Sequence, residues 1–389
     1  MCDGINDYLY NGVLNNIADQ SYNKEFTDKL VKYVSKCNDK IKLSLCSNGT
    51  SALHAILRRL NIKDGQKVIC PNVSFASTWN VIRYVGAIPV FVDIDSETWC
   101  IDVDKIEDKI DKDVVAIIAV DLYGNMCDYD SLRKVCDKHN LVLISDAAES
   151  FGYLYNNKLA GSLADYSIFS FNINKLLTSS GGGAILFDYD RDCAIKRRTF
   201  VDNGKIMETE DYFNKLVDQM KVGFDGQYNY YDVGYNYRMN PINAAIGLYN
   251  FNNIDYILHS KKTLSNLYKI KVTAIEAMLS AAKIDGDVKV KFQKNTDGCM
   301  SNNWLNVIMV SDETTKYNML SAFNDNDIEA RPVFTPASML SHMREFVNDD
   351  DDFKNSTKFY ENSLSLPSSV SLGAEEVKLI CDIIFDVLS

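Results

Sequence analysis

Several features are missing from this sequence of 389 residues, and each absence removes a class of function. Paired cysteine motifs are absent: ten cysteines are scattered without a CxxC, and Cys46, Cys70, Cys100 and Cys136 lie in or beside apolar runs. That distribution fits reduced, structural thiols and excludes a disulfide framework. A basic surplus is also lacking, since 41 Lys and Arg stand against 53 Asp and Glu, leaving a formal net charge of -12. Nucleic acid and anionic membrane, which need basic patches, are thereby excluded as main partners. No apolar run reaches the roughly 18 residues of a membrane span. Met1-Cys2-Asp3-Gly4 carries neither the basic nor the apolar part of a leader, so a cytoplasmic location is expected. Internal repeats are not evident, and the one acidic run, Asp349 to Asp352, reads as a solvated loop, so no metal is expected.

What is present is a chain of ordinary globular composition, long enough for one large and one small domain. From about residue 41 to 190, short apolar runs alternate with segments of helical period, which predicts βαβ units and an α/β fold with a largely parallel sheet. The strand candidates are Val68–Cys70, Val90–Val92, Val114–Val120, Leu141–Ser145, Tyr166–Ser170 and Ala184–Phe187. Ser77 to Tyr84 reads as a helix ended by Gly86, and Tyr129 to His139 as another. Asn240 as N-cap and Pro241 at the first helical position open a long helix predicted to run to Ala282. Beyond it, strands around Asn303–Val310 and Glu329–Val333 and helices over Thr315–Phe323 and Ala374–Leu388 predict a smaller α+β domain. The division is drawn as 1–250 and 251–389.

The candidate chemistry centres on Lys175, in Phe169-Ser170-Phe171-Asn172-Ile173-Asn174-Lys175, with Asp146-Ala147-Ala148-Glu149 upstream and Gly181-Gly182-Gly183 downstream. A lone lysine in a polar loop is usually solvated, but this combination suits a lysine that holds an aldehyde cofactor, pyridoxal phosphate. Asp146 follows an apolar strand at the carboxyl end of a parallel sheet, where its carboxylate can pair with a protonated pyridine nitrogen; capping of a following helix is the alternative. Glu149, one helical turn further if Asp146 opens a helix, reaches toward the same cavity, and Ser170 ends a strand beside it. Asn48-Gly49-Thr50-Ser51 precedes a helix with Leu53, Ile56, Leu57 and Leu60 on one face, so its amides gather at a helix N-terminus fit for phosphate. Simple capping by Asn48 or Thr50 is the competing reading. The glycine run permits close backbone approach or a plain hairpin turn. Tyr228 to Arg238 is rich in tyrosine, which suits either an interface or core packing.

Taken in order, these segments resemble the sugar aminotransferases of the DegT/DnrJ type, a branch of the fold type I pyridoxal-phosphate enzymes. The resemblance runs from about Leu43 to Leu366 and rests on Asn48-Gly49-Thr50-Ser51-Ala52-Leu53, Asp146-Ala147-Ala148-Glu149, Phe169-Ser170-Phe171-Asn172 with Lys175 and the glycines, and Gly234-Tyr235-Asn236-Tyr237-Arg238. It implies a mostly parallel seven-stranded sheet flanked by helices, a homodimer with shared active sites, and pyridoxal 5'-phosphate passing through a pyridoxamine 5'-phosphate form. It also implies L-glutamate as amino donor and a nucleotide-linked keto sugar as acceptor, in surface glycan biosynthesis. By the same resemblance Gly49, Thr50, Ser51 and Ser170 hold the cofactor phosphate and Asn236 reaches it from the partner subunit. Phe75 stacks on the ring, Asp146 binds its nitrogen, Glu149 approaches its hydroxyl and Lys175 carries it covalently. Arg238 and Arg331 are candidate contacts for a carboxylate or phosphate of the substrate.

Two departures from the family pattern touch the acceptor side. The familiar opening phrase is hard to find before Asn48, and Asn302-Asn303-Trp304 lacks the arginine expected beside the tryptophan. They motivate a second reading in which the acceptor is a small phosphorylated ketone such as dihydroxyacetone phosphate. Dehydratases of this family replace the lysine with histidine, so Lys175 argues against that reaction. A non-catalytic cofactor-binding regulator would bind pyridoxal phosphate without turnover, and a lyase acting on a sulfur amino acid would release pyruvate or sulfide.

Overall fold

The apolar runs between Ile41 and Asp188 pair into one sheet of seven strands. A computed structural model describes residues 21–36, 38–192, 195, 213, 216–217, 233–281 and 290–389. In chain order the strands are β1 (Ile41–Cys46), β2 (Lys67–Pro71), β3 (Ile88–Val92), β4 (Val114–Val120) and β5 (Val142–Asp146). A short hairpin, β6 (Leu154–Tyr155) and β7 (Lys158–Leu159), then interrupts the sheet before β8 (Tyr166–Ser170) and β9 (Gly183–Asp188). The spatial order is β1-β9-β8-β5-β4-β2-β3. Only β9 runs against its neighbours, and β1 pairs with it through Leu43 opposite Leu186.

The central strands are buried and mainly apolar because both sheet faces are covered, and β4 is apolar along its whole length. β4, Val-Val-Ala-Ile-Ile-Ala-Val, places Ile117 in one buried core with Leu143 and Leu186, and Ile118 in the opposite core with Ile144 and Ile185. Helices α1 (Ser21–Val34), α2 (Gly49–Arg59), α3 (Ser77–Tyr84) and α4 (Tyr129–His139) supply the covering layers. α4 begins where the Asp128 side chain accepts from the Ser131 amide at 3.0 Å, and it ends at Asn140, which adopts φ 56°. A short polar residue there makes the left-handed turn at low steric cost.

The predicted helix from Pro241 divides in two, α5 (Pro241–Asn252) and α6 (Ile254–Ala281), while Ala282 lies outside the described residues. Asn240 caps α5 through the Ile242 amide at 3.1 Å, as the Asn-Pro pair predicts. The break is at Asn253, whose amide turns back to the Asn250 and Phe251 carbonyls. Apolar periodicity runs through this point, so period alone did not expose it. After α6 come β10 (Lys291–Phe292), β11 (Cys299–Met300), β12 (Asn306–Met309), α7 (Glu313–Asp325), β13 (Arg331–Pro332), α8 (Lys354–Asn362), β14 (Ser363–Leu366) and α9 (Ala374–Leu388). β10, β12, β14 and β13 form an antiparallel sheet, and β11 joins the hairpin of β6 and β7. A third apolar core joins Leu264, Tyr268 and Val272 of α6 to Ile308, Leu364, Val377 and Ile384. The seven described cysteines are free and buried.

Parallel pairing has one consequence for chemistry. β1, β2, β4, β5 and β8 all end at the same edge of the large sheet, so the segments that follow them converge.

Candidate active site

A cleft of about 1040 Å³ opens at that edge, between the large sheet and the β12–β14 region. The segment after β1 contributes Gly49 and Thr50, the segment after β2 contributes Ser74 and Phe75, and that after β4 contributes Tyr123. β5 contributes Asp146 with Glu149, and β8 contributes Ser170 with Lys175.

Asp146 is the last residue of β5 and not the first of a helix; a turn follows it. Its carboxylate accepts from the Ala148 amide at 3.2 Å and the Thr78 hydroxyl at 3.3 Å, and Thr78 is itself held by Ser74 at 2.7 Å. Burial, then the charge of Glu149, push the carboxyl up to about 6, against the opposing pull of Lys175. A positive group placed beside Asp146 would reverse this shift, which is what a protonated pyridine nitrogen supplies.

Glu149 reaches the cleft through that turn. One of its oxygens accepts from Lys175 Nζ at 3.1 Å and the other from the Tyr123 amide at 2.8 Å. Tyr123 holds φ 55°, an unusual conformation for a bulky residue, and this directs its amide at the carboxylate. The face of Trp304 lies 3.9 Å from Lys175 Nζ, and its indole N–H donates to the Asn174 carbonyl at 2.8 Å. Tyr123 is stacked between Trp304 and Phe334. Lys175 is therefore enclosed by a carboxylate and an aromatic face.

The phosphate end is as distinct. Asn48 caps α2 by accepting from the Ser51 amide at 2.8 Å, and its carbonyl takes the Ala52 amide at 3.1 Å. Gly49 and Thr50, which carry the other two first-turn amides, line the cleft. A Cβ on Gly49 would meet the Ser170 Cβ at 3.1 Å, so glycine keeps the space between helix and strand narrow. The capping reading of this tetrapeptide holds at Asn48, and Gly49 and Thr50 face the cavity. Ser51 is buried and its hydroxyl is committed to Asn48 and Ser47, outside the cleft lining. The glycine run packs against the same segment, since a Cβ on Gly183 would come within 2.5 Å of the Asn48 carbonyl carbon. Close approach, more than hairpin formation, is why glycine is needed there.

Phe75 lines the cleft and is 59% exposed, its ring 6.0 Å from Phe334. Arg331 sits at the rim, 71% exposed in its side chain and paired with Glu329. Asn236 and Arg238 stand outside the lining. Tyr235 and Tyr237 stack at 4.9 Å, and the Tyr237 hydroxyl meets His54 Nδ1 at 3.0 Å. Residues 228–232 of the tyrosine-rich stretch lie outside the described residues. Thr78, Tyr123, Trp304 and Lys261 were not singled out in the sequence as site residues. The rule that found Asp146 could have found Tyr123, because Asp121-Leu122-Tyr123 also follows a parallel strand. Trp304 comes from a distant segment, and the sequence marked it only as the tryptophan of the Asn302-Asn303-Trp304 departure on the acceptor side.

The residues present fit pyridoxal 5'-phosphate: an amide-lined helix start faces Ser170, a buried carboxylate stands ready for a cation, and an enclosed amine lies between them. Comparison with known proteins agrees. The model of the DegT/DnrJ/EryC1/StrS aminotransferase family matches residues 6–385. The chain is 32% identical to the GDP-perosamine synthase of Vibrio cholerae, over 87% of this chain and 84% of that protein. It is 29% identical to the GDP-perosamine synthase of Escherichia coli O157:H7, over 95% and 98% respectively. A candidate sugar aminotransferase of Streptococcus pneumoniae, Spr1654, in its PLP form, superposes with a TM-score of 0.82 at 25% identity, covering 100% of this chain and 95% of that one. With a family model spanning nearly its whole length, this chain belongs to the DegT/DnrJ/EryC1/StrS aminotransferase family and is a pyridoxal-phosphate-dependent aminotransferase.

Proposed function

We propose that the enzyme moves an amino group from L-glutamate to a nucleotide-linked keto sugar in glycan biosynthesis. The observation that carries this reading is the convergence of Lys175, Glu149 and Asp146 at the carboxyl edge of the sheet. The choice of acceptor is supported by the two perosamine synthases, which match most of the chain. The aromatic wall of Tyr123, Trp304 and Phe334 is also suited to the apolar face of a sugar ring.

In this reading Gly49, Thr50 and Ser170 hold the cofactor phosphate, and Ser51 supports them by fixing the Asn48 cap. Asp146 pairs with the ring nitrogen, Glu149 with the ring hydroxyl, and Phe75 covers one ring face. Lys175 Nζ forms the covalent link. Bound there, pyridoxal phosphate supplies the sink for electrons released when the substrate Cα loses its proton. Once displaced by the donor amine, Lys175 Nζ is the group that takes and returns that proton. Glu149 receives a hydrogen bond from the Lys175 ammonium and so keeps it directed into the cleft.

We further place the enzyme as a cytoplasmic homodimer. No described helix is long and apolar enough to cross a membrane. Asn236 is exposed, in line with a contact made to the site of a partner subunit, and Arg238 lies two residues on. The separate core around Leu264 and Ile308 supports a division near residue 250 into a large and a small domain.

The test is spectroscopic. Glutamate added to the pyridoxal-phosphate-loaded protein should replace the absorbance of the lysine-linked cofactor with that of pyridoxamine phosphate, and a nucleotide-linked keto sugar should restore it. Restoration by dihydroxyacetone phosphate alone would move the acceptor to small keto phosphates. A protein that takes up cofactor yet ignores glutamate would lose the glutamate reading.

A further inference from the structure

Among the described residues, three cationic side chains line the cleft, and they differ in how their charge is met. Lys175 is paired with Glu149 and Arg331 with Glu329. Lys261, on α6, has no carboxylate partner among the described residues. It is only 7% exposed, and its ammonium donates to two backbone carbonyls, Trp304 at 2.8 Å and Ser368. Two carbonyl dipoles leave one ammonium hydrogen and a full unit of charge unmatched in a poorly solvated place. Burial alone lowers the pKa of this amine to about 8, with no neighbouring charge to offset it.

Its position gives the unmatched charge a use. Lys261 bonds the carbonyl of Trp304, the residue whose ring lies over Lys175, so Trp304 links the two lysines. Its polar neighbours among the described residues are otherwise engaged. Asn302, near where an arginine was expected, spends its amide on the Glu149 and Phe151 carbonyls. The Ser368 hydroxyl accepts from the backbone and side-chain amides of Asn306 and donates to the Leu366 carbonyl.

We propose that Lys261 is the anion contact of the substrate cleft, its ammonium receiving an oxyanion of the bound substrate. The oxyanion is either the carboxylate of the amino donor or the phosphate of a nucleotide-linked acceptor. This assignment rests on the donor and acceptor reading given above.

The experiment uses pyridoxal-phosphate-loaded wild type, Lys261→Met and Lys261→Arg. Calorimetry measures binding of 2-oxoglutarate and, separately, of GDP, and each half-reaction is followed by absorbance. Lys261→Met should weaken one of the two ligands about 10- to 100-fold. The half-saturating concentration of the matching half-reaction should rise by the same factor with its limiting rate unchanged, and Lys261→Arg should retain most of the affinity. Weakened 2-oxoglutarate assigns the donor carboxylate, and weakened GDP assigns the acceptor phosphate. Unchanged binding of both ligands by Lys261→Met would overturn the proposal, leaving Lys261 as a tether of two carbonyls. So would wild type that binds neither ligand. Wild type that binds them through Lys261 but does not respond to glutamate would keep the anion site and sink the donor reading.

Discussion

On the sheet side of the cleft, Asp146 and Glu149 are each 5% exposed, and their carboxylates are held by Thr78, Ala148, Tyr123 and Lys175, all in the segments that follow the parallel strands. On the opposite side the strands are short. β13 has two residues, Arg331 projects into solvent with Glu329, and Lys261 is held by carbonyls alone. The first wall is built to hold one ligand in one orientation; the second leaves charge and surface to a ligand that has yet to arrive. This matches the division of labour in an aminotransferase, where one cofactor serves two successive substrates.

Substitutions can break this contrast. The largest effect is expected at Asp146, where Asp146→Asn removes the charge proposed to face the ring nitrogen and should slow both half-reactions about 10²- to 10³-fold. Its pH behaviour carries a sign. Because the carboxyl is raised to about 6, the unloaded fold binds that proton more tightly than the unfolded chain does. Its contribution to stability is present below about pH 4 and lost as pH rises through about 6. Cofactor affinity moves in the opposite sense, strongest above pH 6 where Asp146 is charged and weaker below it. Cofactor titrations across this range should show the decline in wild type and not in Asp146→Asn.

A smaller effect, still on the rigid wall, is expected at Gly183. Gly183→Ala forces a Cβ against the Asn48 backbone and should cost about 1–3 kcal/mol, read as a lower unfolding temperature. Cofactor affinity should fall with it, because the displaced segment carries Gly49. The smallest effect is expected on the open wall. Arg331→Ala removes an exposed pair worth less than about 1 kcal/mol of stability, and cofactor affinity should not change. A loss of cofactor by Arg331→Ala would erase the distinction between the walls.

The same contrast explains what could be read from the sequence. β4 is an unbroken apolar run and β8 a mainly apolar one, so Val114–Val120 and Tyr166–Ser170 were found with their boundaries, as were the helices Ser77–Tyr84, Tyr129–His139 and Ala374–Leu388. Residues placed just past those strands could be found by the same logic, and Asp146, Ser170 and Lys175 line the cleft. β1 was not named because Lys42 and Ser44 interrupt the apolar residues of Ile41-Lys-Leu-Ser-Leu-Cys46 and leave no continuous run. Strands of two residues have no period to detect, so β10 and β11 were not named, whereas β13 falls within the strand expected around Glu329–Val333. Lys261 and Trp304 meet across 43 positions through one side chain and one carbonyl, a contact that only the fold creates.

The most direct test of the account is to reduce the pyridoxal-phosphate-loaded protein with borohydride and locate the modified lysine by peptide mass spectrometry. The account predicts the label on Lys175, and unlabelled protein for Lys175→Ala. Label on Lys261 or any other lysine, with Lys175 unmodified, would contradict it.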